Sequence, residues 1–579
     1  MNKSLAIFGV AALAASTAQA QFTTQVVLKS GDNLGAYGTI IDGGGFGNEA
    51  SVVQTCDVND SGNWVAEVRS NDGVSNNDLI MRDGTVILYH DSDLGLPTGW
   101  NYEYVDNLLL NNNNELYITM DATDTLAVQK TIVWKDGAII MEEGVTPCTL
   151  ADEAAGAVWA NISEIQINDS NQMLLVGNSD LDSNTCIALI EFDASNAIVS
   201  QTLIGRRGQL HPASGSAAET INVLPSNHLY MSLNNVGDYM WFVDDNNPTN
   251  ALDSYIYKNS TVVAHESDSS PNAATYAHLS SAEVHVRDNG DYVMVTNTTA
   301  PSNANYIIVQ NIGGVESVFI AEGDAPPGIA GGPFALTAMS NGPCRISTSG
   351  DIFWWGDWDD ADTTKDTAVF RGNTPILQEG VSIVDGLLVF DVDNGERDMS
   401  DNGRYIVQDC GLIDTNQAGL VLVSFSPETA SLCFGDGVSA GPCPCINEST
   451  VGAGEGCKNS LGYGAILTAS GSAVVANDDI VFTTTQAIPG QTSLLVQGNA
   501  LQTLPFKDGI LCMGNPTERV EVVTLDGSGA GSTVGSVVTN GNVLPGQTRY
   551  YQQWYRNPGG VSPCGTGSNF TNALQIDWL

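Results

Sequence analysis

Tryptophans beside carboxylates are the side chains best suited to recognising a ligand. The run Trp354–Asp360 reads WWGDWDD, and Trp241 is closely followed by a pair of aspartates. An aromatic ring stacks on the face of a sugar, and carboxylates accept hydrogen bonds from hydroxyl groups. We place the third tryptophan of the run in a connecting loop and expect one of the first two to face a core. The pattern predicts a ligand-binding site containing Trp241, Asp244, Asp357, Trp358 and Asp359. The alternative is ordinary packing beside a solvated acidic loop.

Two histidines and a glutamate form a second candidate. Glu283 and His285 are two residues apart in a predicted strand, which places both on one face, and His278 lies just before them. Such a group suits a metal or a general base. A structural role is the alternative, because no third ligand stands at a recognised spacing. The chain lacks HExxH, GxSxG and P-loop motifs, so no residue is assigned as catalytic.

Two segments with closely spaced oxygen ligands are candidate sites for calcium. Asp180–Asn184 and Asp357–Asp362 would suit a structural Ca²⁺, although neither has the spacing of an EF-hand loop. The turns Asp288–Gly290 and Asp401–Gly403 weakly resemble the Asp-boxes of sialidase propellers. No arginine trio for a carboxylate substrate accompanies them, so that activity is not transferred. We expect no organic cofactor and leave structural calcium open.

The charge of the chain excludes some partners. Among 579 residues, 66 are acidic and 20 are lysine or arginine, which gives a net charge of −46. A nucleic-acid binder needs a basic surface to meet phosphates, and an anionic membrane would repel this chain. The carboxylates either keep the surface soluble or form a face that attracts cations or a basic partner.

The N-terminus predicts export. Residues 1–20 combine Lys3, an apolar run and the small-x-small site Ala18–Ala20, which is typical of a secretory signal peptide. No later segment is apolar enough to suggest membrane insertion. An exported chain meets an oxidising environment, so all 11 cysteines are disulfide candidates.

Residues 21–430 contain seven repeats. Each has an apolar strand, a turn of Ser or Asn followed by Gly or Asn, and a second apolar strand. The spacings between turns run from 52 to 63 residues. The turn pairs begin at Ser61, Asn113, Ser170, Ser226, Asn289, Ser349 and Asn402. Four antiparallel strands per repeat predict a seven-bladed β-propeller. The last repeat lacks a fourth strand, and residues 25–30 supply one that would close the ring. An open β-solenoid or two sandwiches is the alternative.

Loop lengths indicate which rim carries function. The first-to-second and third-to-fourth turns are short, whereas the other two connections are long and variable. Since binding residues concentrate on loops held by a rigid scaffold, we predict the long-loop rim as the ligand face.

Residues 431–579 form a separate cysteine-rich domain with the spacing of a small β-sandwich. Its six cysteines predict three disulfides of open connectivity: Cys433, Cys443, Cys445, Cys457, Cys512 and Cys564. A zinc site is the alternative.

Parts of this chain resemble exported bacterial proteins. The motifs CFGDG at Cys433–Gly437, CPC at Cys443–Cys445, GCKNS at Gly456–Ser460 and TRYYQQWYR at Thr548–Arg556 resemble a C-terminal domain common on secreted planctomycete proteins. The turn Asn59–Gly62 resembles their Asn-x-x-Gly tandem repeats. The resemblance implies an extracellular or cell-surface location, and it implies no catalytic residues.

Together these features favour a secreted, non-enzymatic binding or surface-associated protein. The propeller would recognise an extracellular glycan or surface protein, and the tail would serve attachment or sorting. The alternative is a carbohydrate-active propeller enzyme, a glycoside hydrolase or lyase. An enzyme requires a converging acid and base, whereas a binder requires only aromatic and polar groups.

Overall fold

The computed structural model describes residues 22–41, 51–72, 76–212, 219–249, 252–340, 342–348, 350–392, 396–412, 417–425, 430–470, 473, 475, 478, 480–544, 547–558 and 562–578. The predicted signal peptide and the first residue of the Ser349 turn lie outside these residues. The chain divides into two compact units, one of them Thr23–Ser424 and the other containing Phe425–Leu579. None of the described helices combines the length and apolar character needed to cross a bilayer.

The first unit is a seven-bladed β-propeller. It begins with strand β1, Phe22–Lys29. Blade 1 contains β2 Thr39–Ile40, β3 Val53–Val58, β4 Trp64–Asn71, β5 Asn76–Arg82 and β6 Thr85–Tyr89. Blade 2 contains β7 Asn101–Leu110, β8 Leu116–Thr123, β9 Gln129–Lys135 and β10 Ala138–Glu142. Blade 3 contains β11 Trp159–Ile167, β12 Gln172–Ser179, β13 Cys186–Phe192 and β14 Ile198–Arg206.

In the remaining blades, as in blade 1, the first strand is broken into shorter pieces. Blade 4 contains β15 Ile221–Val223, β16 Met231–Leu233, β17 Tyr239–Asp245, β18 Ser254–Lys258 and β19 Thr261–His265. Blade 5 contains β20 Tyr276–Ala277, β21 Glu283–Val286, β22 Tyr292–Thr298, β23 Tyr306–Ile312 and β24 Val315–Ala321. Blade 6 contains β25 Leu336–Met339, β26 Arg345–Ile346, β27 Ile352–Trp358, β28 Thr367–Arg371 and β29 Thr374–Gln378. Blade 7 contains β30 Ile383–Val384, β31 Leu387–Asp391, β32 Arg397–Met399, β33 Tyr405–Leu412 and β34 Ala418–Phe425.

Short 3₁₀ helices explain part of the difference from the predicted four strands. They lie at Gly35–Tyr37, His228–Tyr230 and Leu279–Ser281. The second of them separates β15 from β16, and the third separates β20 from β21. Each blade nevertheless keeps the predicted antiparallel order of four strand positions.

The N-terminal strand completes the last blade. β1 is the hydrogen-bonded neighbour of β34, and Ser30 N donates to the carbonyl of Ala418 at 3.0 Å. Leu28 packs in one cluster with Ala418 and Leu420. The sequence predicted residues 25–30 for this position, and β1 occupies it with an earlier start. Closing the ring removes two exposed sheet edges.

Stacking of blades explains the continuous apolar strands. The second strand of each blade is buried on both faces, as in β8, where the first five residues are all buried. Alternating residues therefore face different neighbouring blades.

The second unit is a β-sandwich. Its larger sheet has the order β35-β42-β41-β38-β39, formed by β35 Ala430–Leu432, β38 Thr492–Phe506, β39 Gly509–Thr524, β41 Thr548–Arg556 and β42 Ser568–Asp577. The smaller sheet contains β36 Ile466–Ser470, β37 Val481–Thr485 and β40 Gly531–Ser532, and helix α1 spans Val537–Gly541. Side chains from both sheets share one core, including Phe482, Leu495 and Tyr551.

Three disulfides tie this unit together. They join Cys433 to Cys512, Cys443 to Cys457 and Cys445 to Cys564. The expectation that all 11 cysteines are disulfide candidates is wrong for the propeller. There Cys56, Cys148, Cys186, Cys344 and Cys410 are buried free thiols. They serve as small apolar residues in the packing between strands.

Candidate functional site

A polar cavity of about 320 Å³ lies on the propeller axis. Its wall combines the ends of the innermost strands with the turns that join first to second strands. The cavity therefore opens on the tight-turn rim. The long-loop rim predicted from the sequence is not where this cavity lies.

The second residue of every tight turn faces this cavity. We call these seven residues the axial mouth: Asp60, Asn112, Asp169, Asn235, Asp288, Thr348 and Asp401. Four are carboxylates and two are amides, so the axial mouth offers acceptors and donors together. Six of these residues directly precede a turn pair predicted from the sequence. In blade 4 the predicted pair Ser226–Asn227 is wrong, because Asn227 is extended, with a φ of −149°, and caps the 3₁₀ helix His228–Tyr230. The tight turn of blade 4 is Asn234–Gly237, in which Val236 occupies the position expected to hold Ser or Asn.

Hydrogen bonds link each turn to the turn of the next blade. In four blades an asparagine Nδ2 donates to the next turn's carbonyl, the bonds being Asn59 to Asn111 at 3.2 Å, Asn111 to Asn168 at 3.4 Å, Asn168 to Asn234 at 2.8 Å and Asn234 to Arg287 at 2.9 Å. The other junctions use Arg287 Nη1 to Ser347 O at 2.9 Å, Thr348 N to Asp401 O at 2.7 Å and Asn402 Nδ2 to Asp60 O at 3.0 Å. This turn belt runs around the whole ring, and it explains why the turns of blades 1 to 4 begin with asparagine.

The turn belt also orients the axial mouth. Asp169 Oδ1 accepts from the backbone N–H of Asn112 at 2.7 Å, and Asp288 Oδ1 accepts from that of Asn235 at 2.8 Å. Asn112 of blade 2 donates from Nδ2 to Asp401 Oδ2 of blade 7 at 2.8 Å, so this bond passes over the turn of blade 1. These contacts hold the side chains before any ligand arrives.

Crowded carboxyls at the axial mouth have raised pKa values. Burial raises the pKa of Asp401 to about 6, and the charge of Asp169 adds to this effect. Burial followed by the charge of Asp401 raises the pKa of Asp60. A group of negative charges so close together favours a ligand that supplies hydrogen-bond donors or positive charge.

Below the axial mouth, one ion pair crosses between blades. Arg345 Nε and Nη2 donate to the two oxygens of Asp398 at 3.0 and 3.1 Å. His285 Nδ1 accepts from the backbone N–H of Ile346 at 3.2 Å, so its Nε2 carries the hydrogen. Burial and the nearby Arg345 lower the pKa of His285 to about 3. His285 is therefore a neutral side chain of the cavity wall.

Two glutamates lie on the innermost strands, close in sequence to residues that line the cavity. Each is two residues before a cavity-lining side chain of the same strand, Glu164 before Gln166 and Glu283 before His285. Burial raises the pKa of both to about 7. Asn107 Nδ2 donates to Glu164 Oε2 at 3.1 Å, and Ser340 Oγ donates to Glu283 Oε2 at 3.3 Å.

The predicted tryptophan ligands are buried, which corrects the interpretation of Trp241 and Trp358. Trp241 is fully buried, stacks on Tyr257 and donates from Nε1 to the carbonyl of Asn259 at 2.9 Å. Trp358 is 1% exposed, because β27 continues through it instead of ending before it. It packs edge-on against Phe370. Neither ring is available to stack on a sugar.

The other predicted site residues are dispersed. Asp244 and Asp357 are half-buried strand residues whose pKa values are raised by burial, that of Asp244 to about 6. Asp359 is exposed and accepts from the backbone N–H of Ala335 at 2.7 Å. His278 is exposed with a φ of 52°, and its backbone N–H donates to Glu266 Oε1 at 2.7 Å. Only His285 lines the cavity.

Comparisons with known proteins identify no family. No protein-family model matches the chain, and no curated protein matches it. Among solved structures, it is similar to the polysaccharide lyase Uly1, with 8% identity and a TM-score of 0.34 over 69% of this chain and 99% of that one. The Hadza microbial sialidase Hz136 matches at 10% identity and a TM-score of 0.27, over 54% of this chain and 65% of that one. The GH43 protein BlXynB from Bacillus licheniformis matches at 9% identity and a TM-score of 0.19, over 93% of this chain and 98% of that one. At such low values, function has to be drawn from this chain's own residues.

Proposed function

We propose that the propeller binds a glycan at the axial mouth, and that this glycan carries no anionic groups. The observation that supports this most strongly is the cavity of about 320 Å³ whose wall combines carboxylates with amides. A sugar hydroxyl both donates and accepts hydrogen bonds, so it matches such a wall. The turn belt holds these groups in place, which lowers the entropic cost of binding.

The charge of the axial mouth selects among glycans. Sulfate or uronate groups would be placed beside Asp60, Asp169, Asp288 and Asp401, and like charges at short range repel. Neutral sugars avoid this cost, and amino sugars gain an attraction. We therefore expect neutral and amino-bearing oligosaccharides to bind, and polyanionic ones to be excluded.

A binding comparison between two asparagine variants tests the proposal. Asp288→Asn removes one charge while its Oδ1 can still accept from Asn235 N. The loss of a charged acceptor should weaken binding roughly tenfold. Asp193→Asn is the matched control, since Asp193 Oδ1 accepts from the N–H of Ser195 in an exposed outer turn of blade 3. Calorimetry with a neutral and an amino oligosaccharide should show weaker binding for D288N alone. Equal affinities for both variants would refute the assignment.

Export and surface attachment are part of this proposal. Three disulfides in the C-terminal unit favour an oxidising compartment, because such bonds are rare in the cytosol. The C-terminal unit would then anchor or sort the propeller outside the cell. Cell fractionation with and without residues 431–579 tests this role: the full chain should remain with the envelope, and the truncated one should enter the medium.

A second candidate function is glycan hydrolysis, which Glu164 and Glu283 favour. A carboxyl with a pKa near 7 is still partly protonated at neutral pH, and its protonated form can serve as a general acid. If either acts so, product release from neutral polysaccharides should decline above pH 7. Glu164→Gln and Glu283→Gln should abolish it while binding persists. If the glycans that bind yield no product, hydrolysis is excluded and binding is the only function that remains.

A further inference from the structure

Blade 4 contains a buried histidine that faces two carboxylates. His211 and Glu219 lie in the connection between β14 and β15, and Asp245 ends β17. This group is separate from the axial mouth, because the connection belongs to the long-loop rim. One donor atom from each residue lies within 4.8 Å of the other two, and His211 Nε2 is 3.1 Å from Asp245 Oδ2. The His211 and Asp245 side chains are fully buried.

Neighbouring groups hold all three side chains. The Tyr257 hydroxyl lies 2.5 Å from His211 Nδ1, on the side of the ring away from the carboxylates. Asn247 fixes both acids, because its backbone N–H donates to Asp245 Oδ1 at 2.8 Å and its Nδ2 donates to Glu219 Oε1 at 3.1 Å. The second oxygen of Asp245 is thereby directed to His211. Such outer hydrogen bonds are typical of metal ligands, whose orientation they set.

The charge of this group is not balanced by protein side chains. In the described part of the chain, no lysine or arginine forms an ion pair with Asp245 or Glu219, and the one basic partner is His211. Two carboxylates held this close together, one of them fully buried, are costly without a cation. A divalent ion would compensate both charges at once.

We propose that His211 Nε2, Asp245 and Glu219 bind a divalent transition metal, for which Zn²⁺ is the best fit. One imidazole and two carboxylates are ligands that Zn²⁺ accepts, usually with a fourth position left to water or substrate. Ca²⁺ is disfavoured, since it requires six or more oxygen ligands. The Tyr257 hydroxyl would accept from His211 Nδ1–H and so direct Nε2 to the metal. The ion would hold His211 and Glu219 against the end of β17.

Metal content and affinity of the full chain test this site. Protein stripped with a chelator is titrated with Zn²⁺, and bound metal is measured by mass spectrometry after gel filtration. We expect one Zn²⁺ per chain. Glu219→Gln removes a ligand, and Tyr257→Phe removes the outer hydrogen bond, so each should weaken binding roughly 10- to 100-fold. Co²⁺ in place of Zn²⁺ should give a visible spectrum without the charge-transfer band of a sulfur ligand.

Glu103→Gln is the matched control. Glu103, His90 and Asp91 also have donor atoms within 4.8 Å of one another, but this group is more exposed than that of His211. The variant should keep wild-type affinity. Absence of bound Zn²⁺ in the wild type would overturn the proposal, as would unchanged affinity in both E219Q and Y257F. If E219Q does not fold, Y257F decides by itself, since it keeps all three ligands and the packed ring.

Discussion

Replacing Asn168 by alanine should destabilise the propeller more than its single side chain suggests. Asn168 is 3% exposed and joins blades 3 and 4 in the turn belt. Its Oδ1 accepts from Ser170 N at 3.0 Å and Gln172 N at 2.9 Å, and its Nδ2 donates to Asn234 O and to Gln172 Oε1, both at 2.8 Å. Four hydrogen bonds are therefore lost together.

The expected cost follows from those four bonds. Each contributes about 1 kcal/mol, and buried groups that lose a partner carry a penalty of about 1–3 kcal/mol. We expect Asn168→Ala to lower the free energy of unfolding by about 4 kcal/mol. Urea unfolding followed by tryptophan fluorescence measures this change, since eight of the ten tryptophans precede residue 431. The slope with urea should stay unchanged if only stability is affected.

Asp193→Ala provides the comparison. Asp193 makes the same kind of turn, with Oδ1 accepting from Ser195 N at 2.8 Å and Ala197 N at 3.0 Å, but it is exposed. Water replaces these lost bonds, so the cost should be about 1 kcal/mol or less. If N168A unfolds at the same urea concentration as D193A, the turn belt does not stabilise the ring and our reasoning is wrong.

Further predictions concern pH and the cysteines. Burial raises the pKa of Glu67 and Asp409 to about 7, so the folded state retains protons that the unfolded chain releases above about pH 4. Stability should therefore fall between pH 5 and pH 8, and a melting temperature that rises over this interval would contradict the assignment. Alkylation of the unfolded, unreduced protein should modify five thiols, and modification of all 11 would exclude the disulfides. Removing the Cys443–Cys457 disulfide should destabilise the tail by about 3 kcal/mol, less than removing Cys445–Cys564, because it closes the shorter loop. The opposite order in chemical unfolding would contradict this.

The repeats made the propeller predictable. Tight turns require residues that tolerate positive φ, and Gly62 and Asn114 have φ values of 79° and 62°. The same local requirement recurs in each blade, so turn spacing reports blade number. The closing strand followed from counting strands, since a ring with an unpaired edge would be left open.

The site was less predictable, because it depends on how blades meet. Period-two patterns show which strand faces are buried, yet they do not show which rim opens into a cavity. Trp358 illustrates the difficulty: extending β27 by three residues beyond Trp355 turns an expected loop ligand into a buried packing residue. His211 was missed for a related reason, since its partners Glu219 and Asp245 come from different segments and converge only in the folded chain.

Hydrogen–deuterium exchange with a bound oligosaccharide shows whether the axial mouth is where glycan binds. The probe is the neutral or amino oligosaccharide that binds most tightly in an array. We expect added protection in the tight turns of residues 59–62, 111–114, 168–171 and 287–290, which contribute to the axial mouth. Protection confined to the long connections at residues 246–253 and 359–366 would contradict it and would move the binding site to the opposite rim.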